Sequence, residues 1–126
     1  MSSNSAKDDV LESFVQAANQ DDFSLDITLM INGAIVTGTL ISASEYFETQ
    51  SKYFKGGNKR SKEFSEELAG ASEAAESSDG EANYIHLKDV SIFLGDSKPT
   101  PSSGKITWRG NLSAVDSFFL GKIKTS

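Results

Sequence analysis

The stretch LDITLMINGAIVTGTL, Leu25 to Leu40, decides the fold. Two apolar runs flank Asn32-Gly33, a pair suited to a two-residue type I′ turn because both central residues need positive φ. With the turn there, the pairing follows by counting. Ile31 faces Ala34, Leu29 faces Val36, Ile27 faces Gly38 and Leu25 faces Leu40. Side chains alternate with period two, so all of these lie on one side of the pleat, the side expected to be buried. The other side carries Asp26, Thr28, Met30, Ile35, Thr37 and Thr39 and is expected to be largely wet. Gly38, opposite Ile27, permits a bend or a close approach. A curved hairpin over 23–43 is predicted.

The chain has 126 residues, enough for a single domain with one modest core. It has no cysteine, which excludes a disulfide framework and a thiolate metal site and fits a reducing compartment. The opening MSSNSAKDDVLES lacks the apolar core of a signal peptide, and no apolar run approaches the roughly 20 residues that span a bilayer. A soluble cytoplasmic protein without a membrane partner is expected. The net charge of −6 argues against a broad phosphate-binding surface, which needs Lys and Arg. The charge is also distributed in blocks. Residues 1–26 carry net −5 and residues 98–126 net +4, while 52–62 is purely basic and 63–81 purely acidic. Opposed blocks of this kind attract copies of a chain at low salt, although solvated faces are the ordinary reason for them.

Before the hairpin, Val10, Leu11, Phe14, Val15 and Ala18 form one apolar stripe at helical spacing, with Asp8 and Asp9 suited to the helix start. A helix over 6–20 is predicted, packed on the domain's own sheet. After the hairpin a helical insert is predicted over 44–68. In it Tyr46/Phe47 and Tyr53/Phe54 recur seven residues apart, Gly56-Gly57-Asn58 breaks the pattern, and a weaker helix runs from about Ser61 to Leu68. Residues 69–83 are small and acidic with no large apolar side chain, and a flexible linker is expected there. Strands resume over 84–123: Tyr84–Lys88, then Val90–Leu94 as a separate strand or a bulged continuation, then Lys105–Leu112 and Ser117–Ile123. Gly95–Gly104 holds both prolines and reads as a loop.

Signals for catalysis are poor. His86 is the only histidine and on a strand reads as an ordinary surface or half-buried residue. No serine stands in an activating motif, and there is no phosphate-binding glycine loop and no metal-ligand spacing. Trp108 reads as core. No catalytic residue, metal or cofactor is assigned.

Two resemblances add to this reading. Asn32-Gly33 followed by Gly38-Thr39-Leu40, the run Ile85-His86-Leu87-Lys88-Asp89-Val90, and Trp108-Arg109-Gly110-Asn111 together resemble the Sm-like (LSm/Hfq) family. That resemblance implies a mainly β fold with an N-terminal helix. Its core is a strongly bent five-stranded antiparallel sheet, a small partly open barrel, whose edge strands pair between subunits into a ring. The helical insert falls between strands 2 and 3. The family's RNA-contacting Asp and Asn would fall on Ser44 and Glu48, and Glu48 repels phosphate, so only Arg109 of an RNA site remains. An unbroken strand through Ile106, Trp108, Gly110 and Leu112 also suits the Arg-Gly segment.

Taken whole, VLESFVQAANQDDFSLDITLMINGAIVTGTLISASEYF and IHLKDVSIFLGDSKPTPSSGKITWRGNLSAVDSFFLGKI resemble the gas vesicle protein U (GvpU) family. This implies a non-enzymatic accessory role: self-association and clustering of gas vesicles in the cytoplasm, with gas vesicle shell proteins and the protein itself as partners. An Sm-like RNA-binding ring is the alternative. Candidate assembly or partner contacts are Lys52, Lys55, Lys59, Arg60, Arg109, Phe118, Phe119, Lys122 and Lys124. Phe118, Phe119, Leu120 and Ile123 are expected to make core or subunit contacts.

Overall fold

The computed structural model describes residues 7–21, 23–54, 56–77, 82–95 and 106–123. Among these, helix α1 (Asp9–Asp21) leads into strands β1 (Leu25–Ile31) and β2 (Ala34–Ile41). Helices α2 (Ala43–Lys52) and α3 (Lys59–Ser77) follow, then β3 (Tyr84–Phe93), β4 (Ile106–Asn111), a 3₁₀ turn (Leu112–Ala114) and β5 (Ser117–Leu120). The strands form one antiparallel sheet in the order β4-β3-β2-β1-β5.

The hairpin has the predicted register, from Leu25↔Leu40 to Ile31↔Ala34. Asn32 and Gly33 take φ of 50° and 85°, as a type I′ turn requires. Ile27, Leu29, Val36 and Leu40 are buried on one face beneath Leu11, Val15 and Ala18 of α1. Ile85, Leu87, Val90 and Leu112 complete that core. Each fully buried aliphatic side chain contributes about 2 kcal/mol. Asp8 starts α1, its carboxylate accepting from the Val10 and Leu11 amides at 2.9 and 3.1 Å.

Gly38 is where the sheet bends. A Cβ there would stand 2.9 Å from the Lys88 carbonyl oxygen and 2.9 Å from Val90 Cγ2. The neighbour that comes so close is a bulge. Between Thr37↔Ser91 and Thr39↔Lys88, β3 spends one more residue than β2, and the same extra residue appears against β4 between Leu87↔Trp108 and Val90↔Ile106. The extra residue is Asp89, with φ of 52°. Of the two readings of this region, the bulged continuation is the one found. Past Asp89 the faces exchange parity, which returns Val90 to the core.

The connection from β4 to β5 shows how strongly the sheet curls. Leu112 N–H donates to Asn83 O at 2.9 Å, and Asp116 N–H donates to Met30 O at 2.8 Å. Leu25, Leu40 and Leu87 stand in register; Met30 lies five residues beyond that level and Asn83 four before it. A flat sheet would therefore separate Met30 from Asn83 by about 30 Å, whereas residues 112 to 116 reach at most about 14 Å. The sheet must curl on itself, but it does not close: among the described residues β4 pairs only with β3 and β5 only with β1.

Several expectations need correction. The fold is mixed α/β rather than mainly β, because helices of 13, 10 and 19 residues hold more of the chain than the strands. Helix α3 continues to Ser77, into the segment expected to be a flexible linker. Its Ala and Glu residues have high helix propensity, so the backbone stays helical without a large apolar anchor. The described part of that segment resumes at Ala82, which is buried. Lys7 Nζ donates to Ala82 O at 2.6 Å, and Ala82 N–H donates to Glu12 Oε2 at 3.2 Å. The second face of the hairpin is not largely wet, since Thr28 and Thr37 are buried. β4 runs unbroken through Arg109-Gly110, with the Trp108 ring lying across Gly110 where a Cβ would collide with it. The proline-containing loop lies outside the described residues beyond Gly95.

Candidate assembly surface

β5 is short because Gly121, at φ 113°, turns the chain off the edge and over the second face. There the chain meets Thr28 and Thr37. Thr28 Oγ1 donates to Gly121 O at 2.8 Å, so its single proton is used. In the 2.9 Å contact between the two hydroxyls Thr37 must then donate, and Thr37 Oγ1 accepts from Ile123 N–H at 2.9 Å. The threonine pair thus matches two backbone groups of the tail with none left over. Asp116 anchors the other end of β5, its carboxylate accepting from Asn32 N–H at 2.9 Å.

Of the predicted apolar contacts, Phe118 turns inward and meets Phe14 edge-on at 6.3 Å, which makes it a core contact. Phe119 and Leu120 remain 43% and 58% exposed on the outer strand. They project to opposite faces, Phe119 opposite Thr28 and Leu120 opposite Ile27. Met30 and Phe23 are also exposed, at the ends of the neighbouring β1. An edge strand with apolar groups on both faces and an unpaired backbone is a template for another strand.

On the second face, α2 lays Tyr46 and Phe47 against His86, with ring centroids 4.8 and 5.9 Å away. Ser42 and Asn19 hold the start of α2, accepting from the Glu45 and Ala43 amides at 2.9 Å each. His86 is only 3% exposed, not the surface or half-buried residue expected of a lone strand histidine. Its Nε2 accepts from Arg109 Nε–H at 3.2 Å, which places the imidazole proton on Nδ1, and that buried atom has no partner among the described residues. Burial first, and the Arg109 charge second, push its pKa down to about 4. Arg109 itself is exposed and lies over the Tyr84 ring at 3.9 Å and near Phe47 at 5.4 Å.

The other predicted basic contacts that are described lie on α2, on α3 and in the tail. Lys52 is exposed at the end of α2, and Lys59 and Arg60 are exposed in the first turn of α3, where Arg60 pairs with Glu63 at 3.4 Å. Lys122 is half-buried in the tail that crosses the threonines. Lys55 and Lys124 lie outside the described residues. Lys52 also lines a polar groove of about 520 Å³ between α1 and α2, with Asn19, Gln20, Ser44, Glu45, Glu48 and Thr49. Ser44 and Glu48 thus share a groove whose fixed charge includes Glu45 and Glu48 against Lys52. A groove of that charge disfavours a phosphate chain. Sequence reasoning missed the His86–Arg109 cluster and the threonine pair, because the segments they join are far apart in the chain.

Among the described residues no group of three or more His, Cys, Asp or Glu is placed to hold a metal, and no helix is long and apolar enough to cross a membrane. In comparison with known proteins, the family model described as Gas vesicle protein GvpU-like matches residues 8–123, nearly the whole chain. No curated protein and no solved structure gives a match.

Proposed function

The chain belongs to the GvpU-like family of gas vesicle proteins, and from that membership we propose a non-enzymatic accessory protein that self-associates and clusters gas vesicles in the cytoplasm. The observation that carries the self-association is the β5 edge. Its backbone has no partner on the outer side among the described residues, and Phe119 and Leu120 stand exposed on its two faces. The β4 edge is unpaired as well, with Ile106 exposed. Joining the β4 edge of one copy to the β5 edge of the next is a heterologous contact, which closes into a ring or runs on as an open assembly. The strand order and the curl of the sheet support an Sm-like arrangement of this kind. Such assemblies multiply weak contacts with a vesicle shell, and avidity then bridges vesicles without new chemistry.

A non-enzymatic role is supported by the state of His86. Its Nε2 is engaged by Arg109, its Nδ1 is buried without a partner among the described residues, and the side chain is only 3% exposed. The reading is tested by light scattering of the purified protein, alone and with isolated gas vesicles. Assemblies larger than a monomer, and vesicle clusters that appear on adding the protein, are expected. A protein that stays monomeric and leaves the vesicles dispersed would overturn the reading. An RNA-binding ring would instead show in a gel-shift titration with single-stranded RNA at modest salt.

A further inference from the structure

We propose that the outer face of α3 packs antiparallel on the same face of α3 in a second copy, with Lys62 of each helix meeting Glu66 of the other. The inference rests on the self-association reading and adds a link between the assemblies that the strand edges build. Ser61, Ser65, Leu68 and Ala71 are half-buried on one side of α3, where the Phe64 ring also meets Phe54 at 5.6 Å. Lys59, Lys62, Glu66 and Gly70 follow at i, i+3, i+7 and i+11, a stripe on the opposite side, and all four are exposed.

Neither the charges nor the glycine of this stripe serve the helix itself. α3 has no acid in its first turn and no base in its last, the reverse of what the helix dipole favours. Gly70 lowers helix stability relative to alanine, and a Cβ there would meet nothing within 4 Å. Lys62 and Glu66 stand one turn apart with the base first, the weaker order for a pair within a helix. Neither forms an ion pair with another described residue, whereas Arg60 and Glu63 pair at 3.4 Å.

The occupant is a second copy because the stripe is its own complement. An antiparallel crossing centred between residues 62 and 66 sets Lys62 against Glu66 twice, and Lys59 of each copy passes over Gly70 of the other. A parallel crossing in register sets like charge against like. The antiparallel contact is isologous and closes on itself. Two exposed ion pairs are weak alone, so the contact holds where edge-built assemblies present many of these helices at once.

The test is light scattering of the full chain at low salt, with circular dichroism to confirm that each variant is folded. Lys62→Glu and Glu66→Lys, each alone, are expected to keep the edge-built assembly and to lose the larger particles that the wild type forms. An equimolar mixture of the two is expected to recover those particles, because each chain then carries the charge that the other needs. Wild-type particles from either variant alone, or a mixture no larger than its separate components, would overturn the contact and leave edge assembly standing. A wild type that stays monomeric would overturn the self-association reading, and this contact with it.

Discussion

At the scale of single residues, His86 and Gly38 carry the clearest consequences. His86 is neutral in the fold, with its pKa lowered from 6.5 to about 4 by burial and by Arg109. The unfolded chain takes up a proton near pH 6.5 that the folded chain refuses until about pH 4, so stability is lost as pH falls through that window. The loss amounts to about 3 kcal/mol at its lower end. Urea unfolding of the wild type and His86→Phe at several pH values between about 7 and 4 should show a shallower acid decline in the variant; parallel curves would contradict this. At Gly38 the close neighbour is a backbone carbonyl of the bulge, which cannot move aside as a flexible side chain would. Gly38→Ala is therefore expected to destabilise the protein by about 2 kcal/mol, read from the urea midpoint. His86 was readable from sequence only as a strand residue. Its burial depends on α2, forty residues away in the chain, folding back over it.

At the scale of elements, the C-terminal tail belongs to the hairpin it crosses. Thr28→Val removes the donor to Gly121 O and leaves that half-buried carbonyl without its partner, which costs about 1 kcal/mol. Amide exchange at Ile123 should accelerate in the same variant, because the hydroxyl that Ile123 N–H donates to loses its own acceptor. Truncation after Asp116 is a harsher change. It withdraws Phe118 from its contact with Phe14 and exposes β1, with Ile27 and Leu29, as a new edge. The shortened chain is expected to aggregate rather than fold, and a monomeric product with native circular dichroism would refute this.

At the scale of the whole molecule, a curled sheet whose two edges are unpaired among the described residues offers a template for further strands, the basis of the proposed self-association. Phe119→Lys and Leu120→Lys change only exposed groups. They should leave the urea midpoint within about 0.5 kcal/mol of wild type while abolishing assembly in light scattering. The charge blocks make a separate prediction: assembly should weaken between low and high salt as screening shortens their reach. Unchanged assembly across that range would remove electrostatics from the mechanism.

The sequence by itself determined the hairpin, its register, the turn at Asn32-Gly33 and the bend at Gly38. These rest on period-two alternation and on backbone conformations that only certain residues adopt, both local properties. It also carried the family resemblance, the bulge as one of two options, and the apolar run at the end of β5. Only the tertiary structure decided the rest. It buried Thr28 and Thr37, because a tail some ninety residues away crosses them, and it set His86 beneath α2 with Arg109 at its side. It also set Phe118 against the core while leaving Phe119 and Leu120 exposed. Those outcomes depend on which segments meet across the curled sheet. No local pattern encodes that, because a hydroxyl, an imidazole or an aromatic ring is suited equally to solvent or to a matched partner until the partner is in place.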